Sequence, residues 1–238
     1  MTYHYYTLSA LSSLVMTAQE SGWKVHEVPK FKKMFQAPLG LVQRDGYFPA
    51  HNDSWPGVDL LGMSGHYEWA HRLWPKEGFE RELSWIYGLR SKKRGGQLWT
   101  LTVDLIGMAD SGHARASTQA LLHGVESVAD GGAPRPGSRI FRESGIGILE
   151  NEEVRVCLRF GPYGKSHEHH DKLNVDVWTR AGWKAADLGT SGYGAKITNA
   201  WYRTPAAHNI VVVDEKVQEG VDGRLLDFDE SRVRADAP

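Results

Sequence analysis

The 238-residue chain reads as an α+β protein in two parts, a helical part followed by an antiparallel β-sheet part. Apolar residues recur at helical spacing up to about residue 90, and from Ser138 onward they alternate with polar ones. The two patterns follow one another rather than interleave, which argues against a βαβ fold. With 41% hydrophobic and 24% charged residues, the composition is that of a soluble globular protein with material for two cores. The 28 basic and 29 acidic side chains leave a net charge of −1. No overall field exists to hold nucleic acid or an anionic membrane, and neither partner is expected. No apolar run approaches the roughly 20 residues needed to cross a bilayer.

In chain order, Leu8, Leu11, Leu14, Val15 and Ala18 predict an amphipathic helix over residues 3–21, stopped by Ser21-Gly22. A second helix is predicted from Pro29 through PKFKKMFQAPLGLV, followed by the polar turn QRDGYFPAHNDSWPG. Helices resume in LLGMSGHYEWAHRLW and KEGFERELSWIYGL. The basic, glycine-containing SKKRGGQ at 91–97 has the composition of a linker and equally of a loop within one domain; as a linker it divides the chain into 1–95 and 96–238. Strands are then predicted in SRIFRESGIGILE, EEVRVCLRFGPYG, KLNVDVWTRAGWKAADLG and HNIVVVDEKVQEG. Cys157, within VRVCLRF, is expected to be a buried strand residue, and a single cysteine excludes an internal disulfide framework. The nine tryptophans, nine tyrosines and seven phenylalanines have two readings, helix-packing residues or stacking platforms for sugar rings. MTYHYYTLSALSSL enters a helix without a leader and DESRVRADAP ends without a closing element, as expected of a piece of a longer protein.

The stretch GPYGKSHEHHD, residues 161–171, holds the densest group of titratable side chains. Continued into a strand, it would place His167, His169 and Asp171 on one face and Glu168 and His170 on the other. A mononuclear zinc site takes about three N or O protein ligands. Asp187 in WKAADLGTSGYG and His208 in RTPAAHNIVVVD are candidates to join a histidine there, and equally are ordinary turn and strand-edge residues. The dinuclear HxHxDH pattern is broken by Lys172. Tyr3, Tyr5 and Tyr6 flank His4 at the start of the first helix, with Tyr3 and Tyr6 on nearly one face. Tyr193 and Tyr202 lie between Asp187 and His208, where glycines 189, 192 and 194 would permit a flap.

Taken together, YHYYTLSAL, DGYFPAHNDSW, GIGIL, FGPYGKSHEHHDKLNVDVW, DLGTSGYG and WYRTPAAHNIVVVDEKVQ resemble the heparinase II/III-like polysaccharide lyases, and among them the oligoalginate lyases. The resemblance implies that residues 1–95 are the C-terminal helices of an (α/α) toroid. Residues 96–238 would be the beginning of an antiparallel, β-sandwich-like sheet domain, with the active-site cleft between the two. It implies β-elimination on a uronate of an acidic oligosaccharide, with Tyr3 and His167 as acid and base and Tyr202 as a flap tyrosine in competition with Tyr193. His169, Asp187 and His208 would hold one structural Zn2+. His4, Asn52, Lys165, Tyr193 and Arg203 are the expected substrate contacts, Lys165 and Arg203 on grounds of charge alone. The family's toroid also supplies an Asn-His pair upstream of the first helix. That pair would lie before Met1, so reduced activity of the fragment is expected. A periplasmic or cytoplasmic location in a bacterium is all that the resemblance implies about localisation.

Overall fold

The computed structural model describes residues 1–76, 79–89, 121–122 and 137–237. They fall into two compact units, Met1–Phe48 with the helices after Gly57, and Pro49–Pro56 with the strands. The linker expected at 91–97 lies outside the described residues.

In the helical unit, α1 (Thr2–Glu20) and α2 (Pro29–Leu41) form where the periodicity places them. Pro29 opens α2 at a position whose N–H has no helical partner anyway. Pro38, inside the same helix, brings no N–H to the carbonyl of Met34 four residues back. His4 of α1 donates to that carbonyl from Nε2 at 2.7 Å, so the defect in one helix becomes a tie to the other. LLGMSGHYEWAHRLW divides into a 3-10 turn (Leu61–Met63) and α3 (Ser64–Leu73), and α4 spans Phe79–Gly88. Phe31, Phe35, Trp69, Trp74 and Phe79 pack with ring centroids 5.4–6.4 Å apart. These rings fill a core rather than offer a platform. Behind them Tyr5 donates to the Tyr67 hydroxyl at 3.0 Å, and Tyr67 donates to the Phe35 carbonyl at 3.1 Å, so both buried phenols are satisfied.

The loop after α2 closes at its base through Phe48 N–H to the Val58 carbonyl (3.0 Å) and Leu60 N–H to the Gly46 carbonyl (2.8 Å). Its tip, Pro49–Pro56, is part of the sheet unit. The sheet itself is a five-stranded antiparallel meander in the order β1 (Arg139–Phe141), β2 (Ile146–Glu150), β3 (Val154–Arg159), β4 (Asn174–Thr179), β5 (Gly182–Ala185). Gly145 sits at φ +59, and a Cβ there would stand 1.8 Å from Gly161 Cα, so the turn into β2 can pass the end of β3 only as glycine.

Period-2 alternation is present, with an unusual assignment of faces. On β3 the fully buried residues are Arg155, Cys157 and Arg159, and on β4 they are Asn174, Asp176 and Trp178. Register pairs Arg155 with Trp178, Cys157 with Asp176 and Arg159 with Asn174, which makes a polar stripe in the interior. Cys157 is thus buried in a strand, as its sequence context predicts.

Two expectations are corrected at the C-terminal end. HNIVVVDEKVQEG forms no strand: Val211, Val212 and Val213 are 87%, 42% and 68% exposed, and Asp214 and Glu215 take left-handed φ of 53 and 56. Its hold on β4 is at Asn209, through Val175 N–H to the Asn209 carbonyl and Asn209 N–H to Asn174 Oδ1. A run of β-branched residues needs a neighbouring ladder to become a strand, and local propensity does not supply one. The closing element that the sequence does not announce is a hairpin, β6 (Arg224–Asp229) and β7 (Arg232–Asp236), whose Val233 packs over Gly147 of β2. Its strands are rich in paired charges, Arg224 with Asp236 and Arg232 with Asp227, which masked the alternation.

The two valine and phenylalanine environments separate in a denaturation experiment. Phe35→Ala is expected to cost about 3–5 kcal/mol, and Val211→Ala to stay within about 0.5 kcal/mol. Equal losses by urea unfolding would contradict the exposed placement of Val211.

Candidate functional site

The site is built on the Pro49–Pro56 tip, the His-rich turn and the loop after β5, all of one unit. Asn52 takes φ +55, a left-handed conformation asparagine tolerates, and its Oδ1 accepts from His169 N–H at 3.3 Å. Across the tip, Gly189 at φ +65 lies so close that a Cβ would be 2.2 Å from the Ser54 carbonyl. Thr190 N–H donates to that same carbonyl at 3.3 Å.

These contacts bring Asp53 between two histidines and a tyrosine. Asp53 Oδ1 accepts from His169 Nε2 at 3.2 Å, and Oδ2 accepts from His167 Nδ1 at 2.9 Å and from the Tyr193 hydroxyl at 3.1 Å. Tyr193 and His167 are themselves 3.2 Å apart and meet edge to face. Burial alone would raise the Asp53 carboxyl. The hydrogen bonds from His167, His169 and Tyr193 outweigh it and hold the group below the ordinary carboxylate range, ionised at neutral pH. The carboxylate is 4% exposed and the His169 side chain 0%, whereas His167 is 60% exposed and turns outward.

The His-rich turn is not the strand its alternation allows. Lys165–His167 form a 3-10 turn, Lys165 takes φ +56, and β4 begins only at Asn174. Side chains shape it in place of a ladder. Arg159 pairs with both Glu168 and Asp171, Lys172 pairs with Glu168, and Glu168 Oε2 accepts from Gly164 N–H at 3.0 Å. Glu168, which alternation puts opposite His169, is therefore buried with it. Burial, then the neighbouring Arg159, lowers Lys172 to about 8. Arg203 donates from Nε and Nη2 to the Glu168 carbonyl at 3.2 and 2.8 Å, and its own carbonyl accepts from His170 N–H.

Deeper in the unit, Asp187 Oδ2 accepts from His208 Nδ1 at 3.0 Å and from Asn174 at 2.7 Å, while Oδ1 accepts from Gly189 N–H at 2.8 Å. Potential ligand atoms of Asp171, Asp187 and His208 lie within 4.8 Å of one another, and the His169 and His208 rings are 5.3 Å apart. A carboxylate only accepts, so His169 is protonated at Nε2 and His208 at Nδ1. The opposite nitrogens, His169 Nδ1 and His208 Nε2, are buried without a hydrogen bond, and so is Asp171 Oδ2. Asp171, Asp187 and His208 thus offer the oxygen and nitrogen donors a divalent cation takes, whereas His169, its ring beside that of His208, is not a member of that group. Burial lowers His169. Burial would lower His208 too, but the hydrogen bond and charge of Asp187 outweigh it and raise the group, so a proton would compete with any metal for that ring.

Of the residues singled out from the sequence, His167 and Tyr193 meet at Asp53, Asp187 and His208 pair with Asp171 beside them, and His169 lies next to the His208 ring. Tyr202 stands at the end of a π-helical turn (Thr198–Tyr202), without a contact to His167 among the described residues. Lys165 is exposed and Asn52 braces the His-rich turn. In the helical unit, Tyr3 is 49% exposed, and His4 is committed to the Met34 carbonyl. Sequence reasoning missed Asp53, Asp171 as a member of the metal group, and His51. Asp53 was visible only as a neighbour of Asn52 in the HNDSW turn.

His51 of the tip pairs through Nε2 with the buried Asp176 carboxylate, beside Cys157. Burial lowers this imidazole, but the charge and hydrogen bond of Asp176, with a contribution from Cys157, raise it well above 6.5. The folded state therefore keeps a proton that the unfolded chain releases, so the pair's contribution is complete below about pH 6.5 and fades as pH rises toward the folded-state value. His51→Gln is expected to lower the melting temperature more at about pH 6 than at about pH 10. A deficit independent of pH would remove the ion pair.

Comparison with known proteins bears on the fold. Residues 133–232 match the family model Heparinase II/III-like, C-terminal. No curated protein sequence matches the chain. Among solved structures, a heparinase III gene product superposes with a TM-score of 0.68 at 16% identity, over 98% of this chain and 32% of its own. The heparan sulfate lyase HepC from Pedobacter heparinus gives 0.64 at 14%, over 96% and 31%. A further heparinase III gives 0.62 at 14%, over 95% and 33%. At these identities the likeness is one of fold, and the chain spans about a third of the length of the structures it matches. Residues 133–232, which include the sheet, are thus similar to the Heparinase II/III-like C-terminal domain.

Proposed function

We propose that the chain belongs to a polysaccharide lyase that cleaves uronate-containing oligosaccharides by β-elimination, with alginate-type substrates favoured by the motif likeness. The observation that carries this reading is the outward-facing His167, held at Nδ1 by the ionised Asp53 beside the Tyr193 hydroxyl. In β-elimination a base takes the C5 proton of the uronate, a C4–C5 double bond forms, the C4–oxygen bond breaks, and the leaving oxygen takes up a proton. His167 and Tyr3 serve as the acid/base pair in this reading, an assignment that rests on the motifs. Tyr193 is the better-supported tyrosine to close over the sugar, because it contacts His167 and Tyr202 does not. Lys165 is the preferred partner for the substrate carboxylate, since the Arg203 guanidinium already braces the Glu168 carbonyl. Zinc held by His169, Asp187 and His208, with Asp171 beside them, would supply a fixed charge that ties the His-rich turn to the loops after β5. The runner-up reading is a non-catalytic domain that binds acidic carbohydrate. It draws on the same exposed histidine and tyrosine.

The full-length protein given alginate or heparan-type oligosaccharides is expected to form product absorbing as an unsaturated uronate. Tyr3→Phe and His167→Ala should each lower the rate by about 10²-fold or more. Calorimetric binding without product would favour the binding domain, and full activity in Tyr3→Phe would withdraw that residue's role.

Zinc should raise the melting temperature and a chelator lower it, with about one ion per chain by elemental analysis. His208→Ala should abolish both responses. A protein whose melting is indifferent to zinc and chelator would disprove the metal assignment.

A further inference from the structure

We propose that Asp53 is a positioning residue whose single buried carboxylate sets the tautomers of His167 and His169 in opposite senses. Its two oxygens face two rings from different sides: Oδ2 takes the Nδ1 proton of His167, and Oδ1 takes the Nε2 proton of His169. A neutral imidazole has one proton, so each hydrogen bond decides where the ring's lone pair lies. On His167 the lone pair is placed at Nε2, the tip of an imidazole that is 60% exposed. On His169 it is placed at Nδ1, which is buried and makes no hydrogen bond. One carboxylate therefore gives two chemically equal side chains different work, an outward base and an inward, buried lone pair on the ring that lies beside His208.

The surroundings are built to keep Asp53 in this position. Asn52, its left-handed neighbour, is fixed by His169 N–H, and the Ser54 carbonyl on its other side is fixed by Thr190 N–H and the close approach of Gly189. Tyr193 also donates to Oδ2, and with its proton given to the carboxylate it adds to the charge-holding hydrogen bonds without choosing a tautomer. Carboxylate orientation of a metal-binding histidine is a general device, and so is carboxylate orientation of a catalytic one. Here one group does both.

The role of His167 as a base rests on the lyase reading, whereas the two tautomers do not, and the experiment separates them. Long-range proton–nitrogen spectra of the histidine rings in the whole chain should show His167 protonated at Nδ1 and His169 at Nε2. In Asp53→Asn the amide offers one acceptor oxygen and one donor nitrogen, so at least one ring must lose its assigned tautomer. Tyr193→Phe should leave both unchanged. A wild-type spectrum with His167 protonated at Nε2 alone overturns the inference even if the asparagine variant fails to fold, as does an Asp53→Asn spectrum identical to wild type. In the full-length protein, Asp53→Asn should lower kcat by about 10²–10⁴-fold with a much smaller change in KM. Wild-type protein with the stated tautomers but no unsaturated product would uphold the positioning role and remove the lyase reading.

Discussion

The sheet unit depends on one constraint: the polar stripe of β3 and β4 is buried, so each of its charges must find a partner inside the protein. An unpaired ion in such a place is far more costly than an unpaired amide or hydroxyl. Arg159 is answered by Glu168 and Asp171, Arg155 by Glu150, and Asp176 by His51. Glu150 comes from the neighbouring strand β2, directly opposite Arg155, and the other partners come from outside the sheet. The His-rich turn and the Pro49–Pro56 tip are brought in as lids on the stripe, and their own backbones are determined by what the stripe requires.

The site follows from that arrangement. The segment that delivers His51 to Asp176 also delivers Asp53 two residues later, and Asp53 captures His167 and His169. Glu168, which neutralises Arg159, lies between those two histidines and fixes the turn at Gly164 as well. Charge pairing and functional geometry are thus carried by alternate residues of the same short stretches. A buried network of this kind is intolerant of half measures, because removal of one member strands another in a medium where it cannot be solvated.

The helical unit obeys a simpler rule. Its core is an aromatic cluster between α2, α3 and α4, and His4 of α1 answers the carbonyl that Pro38 leaves without a donor. Tyr3 and Tyr6 at the start of α1 are among its exposed aromatic residues. Here periodicity was a sufficient guide, since a helix bonds within itself and its apolar stripe identifies its own buried face.

Local pattern by itself determined the α+β order, the starts of α1 and α2, the strands from β1 to β5, and the burial of Cys157. These depend on short-range bonding carried in contiguous residues. Tertiary structure alone decided which face of β3 and β4 is inside, that the valines before Asp214 stay out of the sheet, and that Asp53 is the group between the histidines. The reason is the same in each case: alternation reveals that a strand has two faces, but the choice between them belongs to charges more than 100 residues away, as the His51–Asp176 and Asp53–His167 separations make plain.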